Sequence, residues 1–301
     1  MILSSTPHSI ALHIGAHKTA SSHLQKVLFN NRKMLMDNSI RVCGPWILRR
    51  KGGSLASQFG LSWSETAPPR RSAQEQLAFL SKGAHRLVLS EENFVGMLKR
   101  NSGRVHVPLY PTGPEKLAEL VAKFAPIKPQ IFLAVREPTA FLTSAYSQTL
   151  FGGAFIGPRT FRARNDWRSI DWADYVARLL KVDGLGGIYL WRQEDYEQVQ
   201  RRVLRQMLRW RAGGQVETID GRVHESLSAA AVRQTLAWAQ EGETVKLATK
   251  ARQKFPVSEV NKPFKLYAPS TLKMSEAIYD VQMAQIEQME GVAVLHPSNQ
   301  T

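Results

Sequence analysis

The sequence predicts a three-layer α/β/α protein with a central, mostly parallel sheet and a helical C-terminal extension. Five short apolar runs have strand character: residues 10–14, 40–43, 86–89, 131–135 and 187–191. Helical patterns lie between them, and strands that alternate with helices build crossover units and parallel sheets. Strand patterns fade after about residue 210. We therefore expect one domain over residues 1–301, with a sheet core in 1–210 and helices in 211–301.

The helical patterns follow one another in chain order. Residues 21–36 place Leu24, Val27 and Leu28 on one apolar stripe, and residues 113–124 begin with a proline that suits a first helical turn. Further helical patterns cover residues 138–150, 170–180, 196–208, 226–240 and 275–289. Three segments are predicted to be long loops: 44–73, 99–112 and 152–168. Long loops at the carboxyl edge of a parallel sheet usually form the ligand cleft.

The chain is strongly basic, with a formal net charge of +15 and a pI of about 10.1. Such a charge attracts nucleotides, acidic polysaccharides, nucleic acids or anionic membrane surfaces. Basic residues gather at 49–51, 70–71, 159–168 and 201–211, and we interpret each cluster on its own as a solvated face. The arginines within 159–168 would also suit an acidic acceptor. No zinc-finger spacing, repeat or RNA-binding signature occurs, so we expect no nucleic-acid partner.

Cysteine usage and hydropathy bear on the compartment. Cys43 is the one cysteine, which excludes an intramolecular disulfide, and its apolar neighbours predict a buried strand residue rather than a nucleophile. No apolar run approaches the roughly 20 residues that cross a bilayer. Residues 1–15 lack the basic start and apolar centre of a secretory signal. We therefore expect a cytoplasmic protein with no integral membrane segment.

The stretch "IALHIGAHKTASSHLQKVL", residues 10–28, runs from a strand through a turn into a helix. Backbone amides at such a helix N-terminus bind anions, and Lys18 adds a positive charge. The usual phosphate loop, G-x-x-x-x-G-K-[ST], has a second glycine where this chain has His17. The sequence predicts a phosphate or sulfate site here. The alternative is a helix capped by Thr19 or Ser21 beside an exposed lysine.

A second anion contact is predicted in "IFLAVREPTAFLTSAYSQ". Arg136 follows the fourth strand, and Ser144 lies about two turns along the next helix. Two anion contacts on adjacent strand ends suit a nucleotide phosphorylated at both its 5′ and 3′ positions. The alternative is a structural ion pair of Arg136 with Glu137. No candidate metal-holding aspartate follows the third strand, which ends in "LVLSEEN".

With both motifs in place, the sequence resembles the sulfotransferases that use 3′-phosphoadenosine 5′-phosphosulfate (PAPS), especially the bacterial members with a P-loop-like fold. "HIGAHKTASSHLQ" matches their 5′-phosphosulfate loop, and "VREPTAFLTSAY" matches their 3′-phosphate motif. Weaker similarity continues through "LVLSEENF", "IYLWRQEDY" and "VHESLSAAAV" to the final helix. The resemblance implies PAPS as cofactor, adenosine 3′,5′-bisphosphate as product, and no metal.

The resemblance also assigns roles to residues. Lys18 matches the lysine on the bridging and terminal oxygens of the 5′-phosphosulfate, while Arg136 and Ser144 match the pair that holds the 3′-phosphate. The family usually has glycine where this chain has Ala20, whose methyl group would crowd the backbone beside the phosphosulfate. The residues expected to cradle that group are Gly15, Ala16, His17, Lys18, Thr19, Ala20, Ser21 and Ser22.

An acceptor hydroxyl must lose a proton, so a base is expected at a strand end that faces the loop. Family members place a histidine or glutamate near the end of the third strand, where this chain has Glu91 and Glu92. Adjacent residues of an extended segment point to opposite sides, and Glu92 better matches the family spacing. His17 is a rival base, although loop packing is its alternative role. His13 is expected to lie in the strand core.

The resulting hypothesis is sulfuryl transfer to the hydroxyl of an acceptor, a carbohydrate or glycoconjugate that would include acidic examples. Two alternatives stay open. A nucleotide-dependent kinase would require magnesium and ATP. A non-catalytic binding protein on the same fold, for which Ala20 is the motive, would bind nucleotides or polyanions without turnover. The sequence leaves the acceptor and the oligomeric state undetermined.

Overall fold

A computed structural model describes residues 6–64, 69, 71–99, 103–219, 221 and 226–298. These residues form one six-stranded sheet in which every strand pair is parallel, with helices on both sides. The predicted α/β fold class is confirmed. The strands are β1 (Ser9–Gly15), β2 (Ile40–Cys43), β3 (Arg86–Ser90), β4 (Gln130–Val135), β5 (Ile188–Arg192) and β6 (Val292–Val294).

Each predicted helical pattern forms a helix, although the pattern over residues 21–36 divides at Asn31, and helices also form at residues 73–81, 210–215 and 247–254, where none was predicted. The Asn31 side chain donates to the carbonyls of Val27 and Glu217 and accepts from the Glu217 N–H, so a tertiary contact fixes the break. The helices are α1 (Ser21–Asn30), α2 (Arg32–Asp37), α3 (Pro45–Leu48), α4 (Leu55–Phe59), α5 (Ala73–Ser81), α6 (Gly113–Phe124), α7 (Pro138–Phe151), α8 (Pro158–Arg164), α9 (Trp172–Leu180), α10 (Tyr196–Leu208), α11 (Trp210–Gln215), α12 (Ala229–Gln240), α13 (Leu247–Lys254) and α14 (Pro269–Glu287).

The strand order is β2-β3-β1-β4-β5-β6, which puts β1 between β3 and β4. His13 of β1 is level with Ser90 of β3 and with Phe132 of β4. The segments that follow β1, β3 and β4 therefore leave the sheet side by side at its carboxyl edge. Ligands of parallel sheets bind at this edge, where neighbouring connections diverge.

The two faces of the sheet pack against separate layers of helices. Alternate residues of β1 point to opposite sides: Ile10, Leu12 and Ile14 join the core that includes α6, α7, α9 and α14. Ala11 faces the second core, which contains apolar residues of α1 and α10. All four of these β1 side chains are completely buried. A strand buried on both faces reads as a continuous apolar run, as this one does.

The C-terminal segment returns to the sheet, which the sequence patterns did not indicate. After α14, β6 pairs with β5 and adds a sixth strand at the edge. Three partly exposed residues with small apolar side chains carry too little periodicity to be recognised as a strand. Two of the predicted loops also contain short helices, since α3 and α4 lie within residues 44–73 and α8 lies within 152–168. Residues 65–68 and 70 of the first loop, and 100–102 of the loop over 99–112, lie outside the described residues.

Two sequence predictions about burial are confirmed. Cys43 is 1 % exposed at the end of β2, and burial raises the pKa of its thiol to about 11, so it is protonated at neutral pH. His13 is 1 % exposed within β1. Within the described residues, no helix combines the length and the apolar character that crossing a bilayer would require.

The burial of His13 predicts acid sensitivity of the fold. Burial lowers the pKa of His13 from 6.5 to about 4, although the charge of Glu92 opposes the shift. Between these two pH values the unfolded chain binds a proton that the folded chain does not. The free energy of unfolding should therefore fall by about 3 kcal/mol through this group as the pH drops from 7 to 4. Urea denaturation across this range would measure the fall, and an equally steep fall in His13→Gln would contradict the assignment.

Candidate active site

The loop between β1 and α1 is built around one carbonyl group. The Ala16 N–H donates to the Ala134 carbonyl of β4 at 2.9 Å, which fixes the start of the loop to the sheet. The Thr19 hydroxyl donates to the Ala16 carbonyl at 2.6 Å, and the Ser21 hydroxyl donates to the same oxygen at 3.3 Å. These two hydroxyls therefore close the loop from within. The backbone amides at the start of α1 remain the groups suited to an anion.

The loop backbone takes left-handed conformations at Gly15, Lys18 and Ala20, with φ of 100°, 66° and 62°. Ala20 is the N-cap residue of α1, and no side chain caps this helix. The alternative reading, in which Thr19 or Ser21 caps α1, is therefore wrong. Gly15 has a second constraint: a Cβ atom there would lie 2.9 Å from the Glu92 Cβ, so the strand and the candidate base approach closely only because the residue is glycine.

Lys18 lies in a positive environment. Its pKa is lowered from 10.5, first by burial and then by the charges of Arg136 and Lys99, while Glu92 opposes the shift. Among the described residues, no hydrogen bond or ion pair within 4 Å engages its ammonium group. Cations that gather in a partly buried site favour an anionic ligand, because only an anion offsets their mutual repulsion.

Arg136 is the first residue after β4, and its guanidinium turns towards the loop. Its Nη1 donates to the Lys18 carbonyl at 2.8 Å, and its own carbonyl accepts from the Trp172 Nε1 at 2.7 Å. The Glu137 carboxylate caps α7 by accepting hydrogen bonds from the N–H groups of Thr139 and Ala140 at 2.9 and 2.7 Å. The observed contacts thus place Arg136 at the loop and Glu137 at the helix terminus.

Ser144 lies on the partly exposed face of α7, one turn beyond Ala140. Among the described residues, no hydrogen bond connects Ser144 to Arg136 or to the loop. Ser22 is likewise partly exposed at the start of α1. The roles expected of both hydroxyls therefore stay predictions.

Both candidate glutamates at the end of β3 are held by Arg49. Glu91 accepts from its Nε and Nη2 at 2.8 Å each, and Glu92 accepts from Nη2 at 2.8 Å. The other oxygen of Glu92 accepts from the Gln25 amide of α1 at 2.8 Å. Burial raises the pKa of Glu92, but the Arg49 charge and these hydrogen bonds outweigh it and lower the pKa below 4.5. Glu92 is therefore ionised at neutral pH and fixed against Gly15.

His17 is buried and has both ring nitrogens engaged. Its Nδ1 lies 3.0 Å from the Tyr110 hydroxyl, and its Nε2 lies 3.0 Å from the Asn93 Oδ1. The Tyr110 hydroxyl also accepts the His17 backbone N–H at 3.0 Å. Burial lowers the pKa of His17, with smaller opposing contributions. These contacts favour a packing role that holds the loop over a role as base.

Three residues of the candidate site were not predicted from the sequence. Arg49 was interpreted as part of a solvated cluster, and Lys99 was placed only in a predicted loop. Glu194, which follows β5, accepts the Glu137 N–H at 3.0 Å, and burial raises the pKa of its carboxyl while the Arg136 charge opposes this. The stretch "IYLWRQEDY" carried the only sequence signal for Glu194. Among the described residues, no group of three or more His, Cys, Asp or Glu side chains is arranged to hold a metal ion.

Comparisons with known proteins give little to add. No protein-family model matches the chain, and no curated protein matches it. The crystal structure of a sulfotransferase from Alicyclobacillus acidocaldarius is similar to it with a TM-score of 0.42 and 14% identity, over 82% of this chain and 96% of that one. A similarity of this size does not identify a function.

The conformation of Ala20 predicts a stabilising substitution. An alanine at φ 62° costs about 1–2 kcal/mol relative to its usual conformations, and glycine avoids most of this cost. Ala20→Gly should therefore raise the free energy of unfolding by about 1 kcal/mol, measured by urea denaturation. The matched control is Ala122→Gly at an exposed position of α6, which should lower it by about 1 kcal/mol. Destabilisation by both substitutions would contradict the strained loop.

Proposed function

We propose that the chain is a PAPS-dependent sulfotransferase that moves a sulfuryl group to a hydroxyl of an acceptor, with carbohydrates as the expected class. One observation carries the proposal: the Arg136 Nη1 donates to the Lys18 carbonyl at 2.8 Å. Two cationic motifs, 118 residues apart in sequence, are therefore in direct contact at the carboxyl edge of the sheet. A nucleotide with phosphate groups at both its 5′ and 3′ positions is the ligand that such a pair suits.

The residues present fit the donor nucleotide. Lys18 and the amides at the start of α1 would hold the 5′-phosphosulfate, since the ammonium group is partly buried among other cations. Arg136 would hold the 3′-phosphate, with Ser144 as the second contact. When bound, the nucleotide supplies the sulfuryl group that is transferred in line to the acceptor oxygen.

The chain's own groups then have distinct roles. Lys18 stabilises the negative charge that develops on the leaving oxygen, a type of contribution that is commonly worth about 3–4 kcal/mol. Glu92 accepts the proton of the acceptor hydroxyl, and Arg49 and Gln25 hold its carboxylate in position. Lys99, whose charge acts on Lys18, adds to the positive potential at the same point.

A second candidate function, binding of the nucleotide without turnover, has one observation in its favour. Both glutamates at the end of β3 are engaged by Arg49, and the hydrogen bonds lower the basicity of Glu92. A base held this firmly is a weak one. The two functions share the nucleotide site and differ in whether sulfate is transferred.

The shared cleft predicts nucleotide binding that requires both cations. Wild-type protein should bind adenosine 3′,5′-bisphosphate saturably in EDTA, by isothermal titration calorimetry. Lys18→Ala and Arg136→Ala should each raise the dissociation constant by at least about tenfold, since a charge-assisted hydrogen bond contributes about 1.5–3 kcal/mol. Arg233→Ala, at an exposed position of α12, is the control of equal charge change and should leave it unaltered.

Two results would contradict this prediction. Binding that needs added magnesium and prefers ATP would favour kinase chemistry. Binding that survives Arg136→Ala would remove the 3′-phosphate assignment and with it the argument for PAPS.

The assignment of Glu92 as the base predicts that substitutions of Glu92 and of the adjacent Glu91 affect the transfer rate differently. In a radiolabelled-sulfate transfer assay over a panel of carbohydrates and other hydroxyl acceptors, Glu92→Gln should lower the rate by about 10²–10⁴-fold. Glu91→Gln, the matched control, should lower it far less. The opposite order of effects would reassign the base, and nucleotide binding without transfer to any acceptor would support the binding-only function.

The ion pair with Arg49 predicts the pH dependence of transfer. Because the pKa of Glu92 is lowered below 4.5, Glu92 should be ionised throughout the range above about pH 6. Its protonation should therefore not change the wild-type rate in that range. Arg49→Met removes the neighbouring charge, so the acid limb of kcat/KM should move to higher pH. An unchanged limb would show that Glu92 does not control the reaction.

A further inference from the structure

A second positively charged cavity lies at the opposite edge of the sheet. Its volume is about 470 Å³, and it is lined by residues at the amino ends of β1, β3 and β4 together with the junction of α10 and α11. Ser9, the first residue of β1, lines it. Because β1 rises about 3.3 Å per residue, this cavity lies about 20 Å from the Gly15 end of the strand. It is separate from the candidate active site.

Four cationic side chains line this cavity: Arg86, Lys128, Arg205 and Arg209. Among the described residues, no carboxylate lies within 4 Å of any of their charged nitrogens. A cluster of cations without a neighbouring carboxylate is unfavourable in a partly enclosed site, because each charge raises the cost of the others.

Arg86 shows that the cluster is built into the fold. It is 4 % exposed, and its guanidinium donates to neutral oxygens: the Met207 and Gln206 carbonyls at 2.7 and 3.3 Å, the Ser9 hydroxyl at 3.2 Å and the Gln130 side chain at 2.8 Å. Burial and the charge of Arg209 lower its pKa to about 10. A buried arginine is normally paired with a carboxylate, and this one retains an uncompensated charge.

The junction of α10 and α11 supplies the outer part of the cavity. The Arg205 guanidinium lies 4.2 Å above the centre of the Trp210 ring, and its buried Nε has no hydrogen-bond partner among the described residues. Trp210 is 70 % exposed, so the ring has surface available for contact. The Arg209 Nη2 donates to the Ser9 hydroxyl at 3.2 Å and so faces the same space as Arg86.

We propose that this cavity binds a tetrahedral oxyanion, a phosphate or sulfate group, either free or carried by a monoester whose ring contacts Trp210. The oxyanion offsets the charges of Arg86, Arg205 and Arg209, whose side chains line the cavity. Arginine guanidinium groups match such oxyanions in geometry and charge. The interpretation of residues 201–211 as a solvated face is therefore incomplete, because part of this cluster faces a cavity. The proposal does not depend on sulfuryl transfer.

The test uses Lys18→Ala protein, in which the candidate active site has lost one of its two cationic anion contacts. Inorganic sulfate and inorganic phosphate are titrated at low ionic strength by calorimetry, alongside glucose 6-phosphate and galactose 6-sulfate. Saturable binding is expected, and tighter binding of the sugar esters would identify an ester site, whereas equal binding would identify a site for the free anion. Either outcome supports the oxyanion site.

The decisive variant is Arg209→Gly in the same background. Arg209 has a φ of 65°, which glycine adopts without strain, so this change removes the charge without disturbing the backbone. It should weaken binding by at least about tenfold at an undiminished Tm. Arg205→Met, which keeps the packing of the side-chain stem, should act in the same direction, while Arg211→Ala on exposed α11 surface is the charge-matched control.

Three results would overturn the proposal: no saturable binding in the Lys18→Ala protein, unchanged binding in Arg209→Gly and Arg205→Met, or an equal loss in Arg211→Ala. Adenosine 3′,5′-bisphosphate binding by Arg209→Gly protein, with Lys18 intact, separates this proposal from the proposed function. Unaltered nucleotide affinity there is expected, since the two sites lie at opposite edges of the sheet. A loss of nucleotide affinity in Arg209→Gly would mean that the nucleotide binds in this cavity, which would contradict the proposed nucleotide site at Lys18 and Arg136.

Discussion

The hydrogen bond from Arg136 to the Lys18 carbonyl joins the two segments on which the candidate site depends. Each segment alone is ordinary: a turn before a helix, and an arginine after a strand. The sheet order brings them together, because β4 is the direct neighbour of β1 although they are far apart in sequence. The guanidinium then contacts the turn itself at 2.8 Å. Two cationic side chains at the same edge of the sheet follow from this single arrangement.

The candidate site contains both cationic side chains and carboxylates. Burial lowers the pKa of Lys18 most, and the charges of Arg136 and Lys99 lower it further. Arg49 forms ion pairs with both glutamates after β3, Glu91 and Glu92. The Lys18 ammonium has no hydrogen-bond or ion-pair partner among the described residues, while the Glu92 carboxylate is fixed beside Gly15. The proposed transfer from an anionic donor to a hydroxyl needs both kinds of group, a cation to stabilise charge and a carboxylate to accept the proton.

Sequence patterns were sufficient for the elements with strong periodicity and insufficient where tertiary contacts decide. The five longer strands and the amphipathic helix α10 follow directly from apolar spacing. The break at Asn31 and the strand β6 do not, since the first depends on a contact to Glu217 and the second on pairing with β5. In the site, Lys18 and Arg136 stand in recognisable motifs, whereas Arg49 shows its role only through two carboxylates 42 and 43 residues away.

The most direct measurement is a crystal structure of the protein with adenosine 3′,5′-bisphosphate. The account predicts the 5′-phosphate against Lys18 and the amides at the start of α1, with the 3′-phosphate on Arg136. A nucleotide bound elsewhere, or an Arg136 guanidinium that turns away from the phosphate, would contradict it.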